Sequence, residues 1–204
     1  MEDREALDQY EKAIKKENQQ QYFKRVVLAA EIANHLHDEP TFGRVKFQKL
    51  VYLCEHAAKM DLNDRYTKQV AGPFDNKFMH TIEEEFKKNK WFEVKKIKEG
   101  KMTRSVYEQM SGAIGYKKYY QSYFSKEAEA IDYIINLFRK TKTDKTEVAA
   151  TLYACYVELK EPALTASFDQ LLIKFYAWAK SKQRFEPELV ESTWRWMIEK
   201  GIVK

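Results

Sequence analysis

Trp91-Phe92-Glu93-Val94-Lys95-Lys96-Ile97-Lys98-Glu99-Gly100-Lys101-Met102-Thr103-Arg104-Ser105-Val106-Tyr107 is the stretch in which this sequence changes period. On either side of it, apolar residues return every three to four positions, the spacing of one helix face. Within it, residues 91–97 and 102–107 read as strands, and Lys98-Glu99-Gly100-Lys101 supplies a polar loop with Gly near the turn. Two β-prone runs joined by so short a loop predict an antiparallel hairpin, because a parallel pairing needs a much longer crossover.

Toward the N-terminus, Gly72-Pro73-Phe74-Asp75 is the sharpest local signal. Gly-Pro interrupts regular structure, and Asp75 can cap a helix whose buried side is Phe78, Met79, Ile82 and Phe86. Residues 66–70 before it read as a short extended segment. Further back, Thr41 is placed to cap a helix reaching about residue 60, with Phe47, Leu50, Val51, Cys54, Ala57 and Ala58 inward and Lys46, Lys49 and His56 on another side. A helix over 22–36 ends at Asp38-Glu39-Pro40, since Pro disfavours helical geometry before it. Residues 5–16 carry Ala6, Leu7, Tyr10, Ala13 and Ile14 at helical spacing, and the polar run 17–21 is either a linker or an uncapped continuation. A short amphipathic helix ahead of a polar joint has little to pack against alone, which points to a larger assembly.

Toward the C-terminus the pattern is helical throughout. Ile131, Ile134, Ile135 and Phe138 mark one helix; Val148, Leu152, Cys155 and Leu159 mark the next, opened by the capping-box pattern Asp144-x-x-Glu147. Ser167-x-x-Gln170 opens another, with Phe168, Leu171, Leu172, Phe175 and Trp178 on its face. The last starts near Pro187 and stops at Gly201. The expectation is a mainly α protein: an N-terminal helix and linker over 1–21, a winged-helix-like lobe with one β-hairpin over 22–110, and a C-terminal helical bundle over 111–204.

Helix, helix, helix, hairpin is winged-helix order, and the charge of the hairpin raises a nucleic-acid role. Residues 86–104 hold eight Lys or Arg against two Glu. The candidate phosphate-contacting residues are Lys90, Lys95, Lys96, Lys98, Lys101 and Arg104, which would give affinity without reading sequence. The bland alternative is a solvated hairpin whose lysines protect an exposed edge. The preceding helix argues against groove reading, since residues 75–89 carry Asp75, Glu83, Glu84 and Glu85 against three lysines. For the whole chain, 36 Lys+Arg against 31 Asp+Glu give +5, an ordinary surface balance, and with 14% aromatics this raises a nucleic-acid or acidic partner without settling it.

Catalytic patterns are sparse. Asp75 with Glu93-Val94-Lys95 imitates the Asp…Glu-x-Lys set that holds Mg²⁺ in restriction-type nucleases, but those need a mixed sheet that this helical pattern does not supply. His35 and His37 are two apart on a helix and face different ways, while His56 and His80 lack partners at ligand spacing. No catalytic residue, metal or cofactor is expected. Trp178, Trp194 and Trp196 read as core or partner contacts before a base-stacking platform. Cys54 and Cys155 fit two buried thiols in a reducing compartment, and with an acidic, polar N-terminus and no long apolar run the expectation is a cytoplasmic protein without a membrane span.

The run Phe42-Gly43-Arg44-Val45-Lys46-Phe47-Gln48-Lys49-Leu50-Val51-Tyr52-Leu53, then Tyr66, then Ala71-Gly72-Pro73-Phe74-Asp75 resembles a helical module attached to bacterial restriction-modification proteins, especially the C-terminal ends of type I specificity subunits. More distantly, it is similar to the antitoxin domain called Panacea, with its Lys-Leu-x-Tyr helix and later Gly-Pro. The N-terminal helix resembles the last helix of a longer subunit. The resemblance implies a non-catalytic interaction module of a defence system whose partner is a restriction-modification subunit or a toxin, with DNA backbone contact as an accessory. It gives Lys49, Leu50, Tyr52, Gly72, Pro73, Phe74 and Asp75 structural roles. A winged-helix DNA-binding regulator or antitoxin is the alternative, and a Mg²⁺-dependent nuclease the remote one.

Overall fold

The helical periodicities become, in chain order, α1 (Glu2–Leu36), α2 (Arg44–Ala57), the strands β1 (Thr67–Gln69) and β2 (Gly72–Phe74), α3 (Asn76–Lys88), the hairpin β3 (Phe92–Glu99) and β4 (Met102–Gln109), then α4 (Lys117–Phe124), α5 (Ala128–Phe138), α6 (Thr143–Lys160), α7 (Phe168–Ala177), a 3-10 turn (Lys180–Arg184) and α8 (Pro187–Glu199). This computed structural model describes residues 2–60, 66–100, 102–160 and 167–203. The protein is mainly helical with a small antiparallel hairpin sheet. A second, three-residue strand pair joins Thr67–Gln69 to Gly72–Phe74, so Gly72 and Pro73 lie in a strand rather than merely ending one. No helix among the described residues is long and apolar enough to cross a membrane.

The core is organised around α2, which buries ten consecutive residues from Lys46 to Glu55. A helix can do this only with neighbours on every side, and α2 packs against α1, α5, α6 and β2. Its predicted inward stripe holds, with Phe47, Leu50, Val51 and Cys54 buried. Lys46 and Lys49, expected on another side, are instead fully buried, because α5 and α6 cover that side too. Thr41 does not cap α2. The N-cap is Gly43, without a side-chain hydrogen bond, and the Thr41 hydroxyl accepts from the Lys46 ammonium at 2.8 Å.

Residues 17–21 are helical, making α1 one unbroken 35-residue helix. In α3, Asp75 caps as predicted by accepting from the Phe78 amide at 3.0 Å, and Phe78, Met79, Ile82 and Phe86 are all buried. The hairpin pairs Phe92 with Gln109 through Glu99 with Met102, and Gly100 takes φ +63° at the turn. It stands on the core through Phe92 and Tyr107, the latter packed on Phe42 and Phe47, while Lys95 to Lys98 are exposed.

Beyond the hairpin, Ile131, Ile134, Ile135 and Phe138 bury one face of α5, and Val190, Thr193 and Met197 one face of α8. The Ser167–Gln170 capping box forms in both directions. The Asp144–Glu147 box does not. Asp144 lies inside the first turn of α6, and Glu147 is turned inward to the Lys182 ammonium at 2.7 Å. A buried ion partner outweighs a solvated cap here. One buried apolar cluster runs from Val26 to Val203 through both halves of the chain. Cys54 and Cys155 are buried and free.

Candidate functional site

The residues of the Lys-Leu-x-Tyr and Gly-Pro motifs meet at the contact of α2, β2 and α6. The Lys49 ammonium donates to the Pro73 carbonyl at 2.7 Å and is fully buried. Burial, with repulsion from Lys182, pushes its pKa down to about 7. Gly72 has φ +105°, and a Cβ there would lie 2.6 Å from the Thr151 hydroxyl oxygen. Leu50 is core, and the buried Tyr52 ring meets His56, Tyr66 and Tyr153 edge-on. Burial drives the His56 pKa down to about 4, so this imidazole is neutral at physiological pH. Phe74 is half-buried against the core.

Asp75 does more than cap. Its second oxygen accepts from Arg25 at 2.6 Å, and Arg25 also donates to Glu55 at 2.5 Å. The Tyr66 hydroxyl completes the group by donating to Glu55 at 2.6 Å. Arg25 lies over the Phe78 ring at 4.0 Å. Burial opposes the Arg25 charge, but Glu55 leads the groups that raise its pKa above the usual value. Burial pushes Glu55 up and the Arg25 charge pulls it back. Three donor hydrogens converge on its carboxylate, and burial still leaves its pKa raised overall. This four-residue knot ties α1, α2 and α3 together. Arg25 gave no sequence signal, because a charged residue within an amphipathic helix reads as its solvated side.

The basic hairpin residues are divided between two faces, as strand alternation requires. Lys96 and Lys98 share a face with Phe92 and lie opposite Ser105 and Thr103. Lys95 is on the reverse face, paired to Glu108 at 2.6 Å. Lys90 is exposed at the base of the hairpin with φ +56°. Lys101 lies outside the described residues. Among the described side chains of α3, Lys77, His80, Glu84, Lys87 and Lys88 are exposed, while Glu83 is held by Arg44 at 2.5 Å. Of the glutamate run, Glu84 is the exposed member, since Glu85 accepts from Asn89 and Lys88.

A cleft of about 730 Å³ opens where the hairpin meets the start of α2 and the middle of α3. Arg44, Lys96, Arg104, His80, Thr103 and Ser105 are among the residues lining it. Sequence reasoning had Lys96 and Arg104 from the hairpin but not Arg44 and His80, which belong to other helices.

Other constellations are spent on structure. Glu31, His35 and Asp132 offer ligand atoms within 4.8 Å of one another. Glu31, however, already accepts from Lys117 at 2.7 and 2.8 Å and from Tyr116 and His35, so an ammonium takes the place of a metal cation. Burial opposes the Glu31 charge, and hydrogen bonds led by His35 and Lys117 overcome it and lower its pKa. Of the nuclease-like set, Asp75 is committed to Arg25 and the Phe78 amide, and Glu93 lies 4.0 Å from Lys87. Trp194 and Trp196 are both half-buried, flanking the buried Thr193 and Met197, with Trp194 against Tyr156 and Trp196 edge-on to Phe138. Trp178 donates its indole N–H to the Gln69 carbonyl at 2.9 Å.

No protein-family model matches the chain, and no curated protein shows significant similarity to it.

Proposed function

We propose that the chain is a non-catalytic interaction module of a bacterial restriction-modification or related defence system, acting in the cytoplasm by binding a protein partner. The observation that carries this reading is the exposure of six consecutive residues, Lys15 to Gln20, inside the unbroken α1. Six residues cover more than one and a half turns, so every side of the helix at this level is open to solvent among the described residues. A helix without tertiary support is marginal in water. The sequence before it places Ala6, Leu7, Tyr10, Ala13 and Ile14 along one stripe, which a protein surface would cover. The family resemblance supports the same reading, since Lys49, Leu50, Tyr52, Gly72, Pro73 and Asp75, which help carry it, are occupied in holding the fold.

The test is co-purification of the full chain with the product of a neighbouring gene, either a methyltransferase or motor subunit or a small toxin. A stable complex, lost in a Leu7→Glu/Tyr10→Glu/Ile14→Glu variant that keeps its unfolding transition, supports the proposal. A chain that purifies without either class of partner, or a complex indifferent to the triple substitution, rejects it.

A further inference from the structure

We propose that the cleft between α2, α3 and the hairpin seats the backbone phosphates of duplex DNA. Three separate elements bring cations to it: Arg44 from α2, Lys96 from β3 and Arg104 from β4. Lys46, whose ammonium is held by the Thr41 hydroxyl and the Arg139 and Thr141 carbonyls, also lines the cleft and adds charge. Burial lowers the Lys46 pKa to about 8, so it stays mostly protonated at neutral pH. The one carboxylate lining the cleft is Glu83, already paired with Arg44.

The start of α2 reinforces this field. No acidic residue occupies its first turn, and its Gly43 cap has no side-chain oxygen to offer the first amides. Gly43, Arg44 and Val45 all line the cleft. The Arg104 side chain lies across this helix start, its Cγ 3.9 Å from where a Cβ on Gly43 would sit. Tyr107 lies on the same face of β4 as Ser105 and Thr103, which line the cleft. Its hydroxyl is buried without a hydrogen-bond partner among the described residues, close enough to Glu83 and Arg44 to feel both charges.

A polyanion fits better than a small one. The cleft volume of about 730 Å³ far exceeds one phosphate. Beyond the cleft lining, Lys98 on the same hairpin face and Lys77 on α3 are also exposed. Contacts of this kind grip phosphates without reading bases, so affinity depends on salt and not on sequence. The inference is independent of the protein-partner reading, and either can fail alone.

The experiment is fluorescence anisotropy with a labelled 25-base-pair duplex across a salt series, using the full chain. Lys96→Ala/Arg104→Ala should weaken binding roughly tenfold or more at low salt and flatten the log–log salt slope by about one to two units. Lys126→Ala, an exposed lysine elsewhere, should bind nearly as wild type. Glu83→Gln removes the competing carboxylate and should tighten binding several-fold, a gain that a damaged fold would not produce. Equal loss in the cleft and control variants places binding elsewhere and overturns the proposal. No tightening in Glu83→Gln, or no duplex binding at all, also overturns it. Binding of inorganic phosphate by calorimetry without duplex binding would mark a small-anion site and overturn the polyanion assignment.

Discussion

Gly72→Ala tests the structural reading of the Gly-Pro motif most directly. At φ +105° the backbone lies outside the regions that L-residues occupy comfortably, and holding alanine there costs about 1–3 kcal/mol. The new methyl would also lie 2.6 Å from Thr151 Oγ1 and 3.6 Å from the Lys49 ammonium. Thr151 is fully buried and its hydroxyl donates to the Glu147 carbonyl at 2.8 Å, so it cannot swing aside cheaply. Overpacking of this kind adds about 1–3 kcal/mol, for a total near 4 kcal/mol. In a chain of 204 residues that lowers Tm by roughly 8–16 °C. Thr151→Ala removes the obstructing oxygen but leaves the backbone strain. In that background Gly72→Ala should cost only about 1–3 kcal/mol, the difference being the coupling between the two positions. Urea and thermal unfolding of the four proteins of the cycle measure both quantities. A Gly72→Ala protein within about 0.5 kcal/mol of wild type would refute the reasoning, as would an equal penalty in both backgrounds.

Lys49 makes stability depend on pH. Its folded pKa of about 7 lies below the ordinary 10.5, so between these values the unfolded chain binds a proton that the folded chain does not, and stability rises with pH. The stability of wild type minus that of Lys49→Met should grow by about 2 kcal/mol from pH 7 to 9 in urea titrations; a flat difference contradicts the burial argument. Arg25→Met should destabilise by about 3–5 kcal/mol, because Glu55 and Asp75 would remain buried without their cation. Equilibrium unfolding reads this out, and a cost below about 1 kcal/mol would show that the knot contributes little.

Much of the architecture could be read from local pattern, and the misses have a common cause. The hairpin, the Asp75 cap, the buried face of α3 and the Ser167 box depend on residues within a turn or two of each other. The buried lysines of α2 do not. Periodicity over residues 44–57 predicts one apolar face, with Lys46 and Lys49 on another side. Yet Lys46 is satisfied by carbonyls 93 and 95 residues away, in a segment with no local relation to it. The Asp144–Glu147 capping pattern misleads for the same reason, since the partner of Glu147, Lys182, is 35 positions on. The candidate site was half legible. Hairpin charge was visible in the sequence, but Arg44 and His80 enter it from helices whose charges read as ordinary solvated positions.

The amino-acid sequence by itself determined the element types and order, the hairpin, and the motif that resembles a known family, because helix, strand and cap preferences are set by near neighbours. Only the tertiary structure decided what those residues are for. It surrounded α2, turned Lys49 and Gly72 into a packing joint, closed Arg25 onto two carboxylates, and split the hairpin lysines between a paired face and a cationic cleft. Burial and charge pairing are properties of three-dimensional neighbours, and here those neighbours come from positions dozens of residues apart.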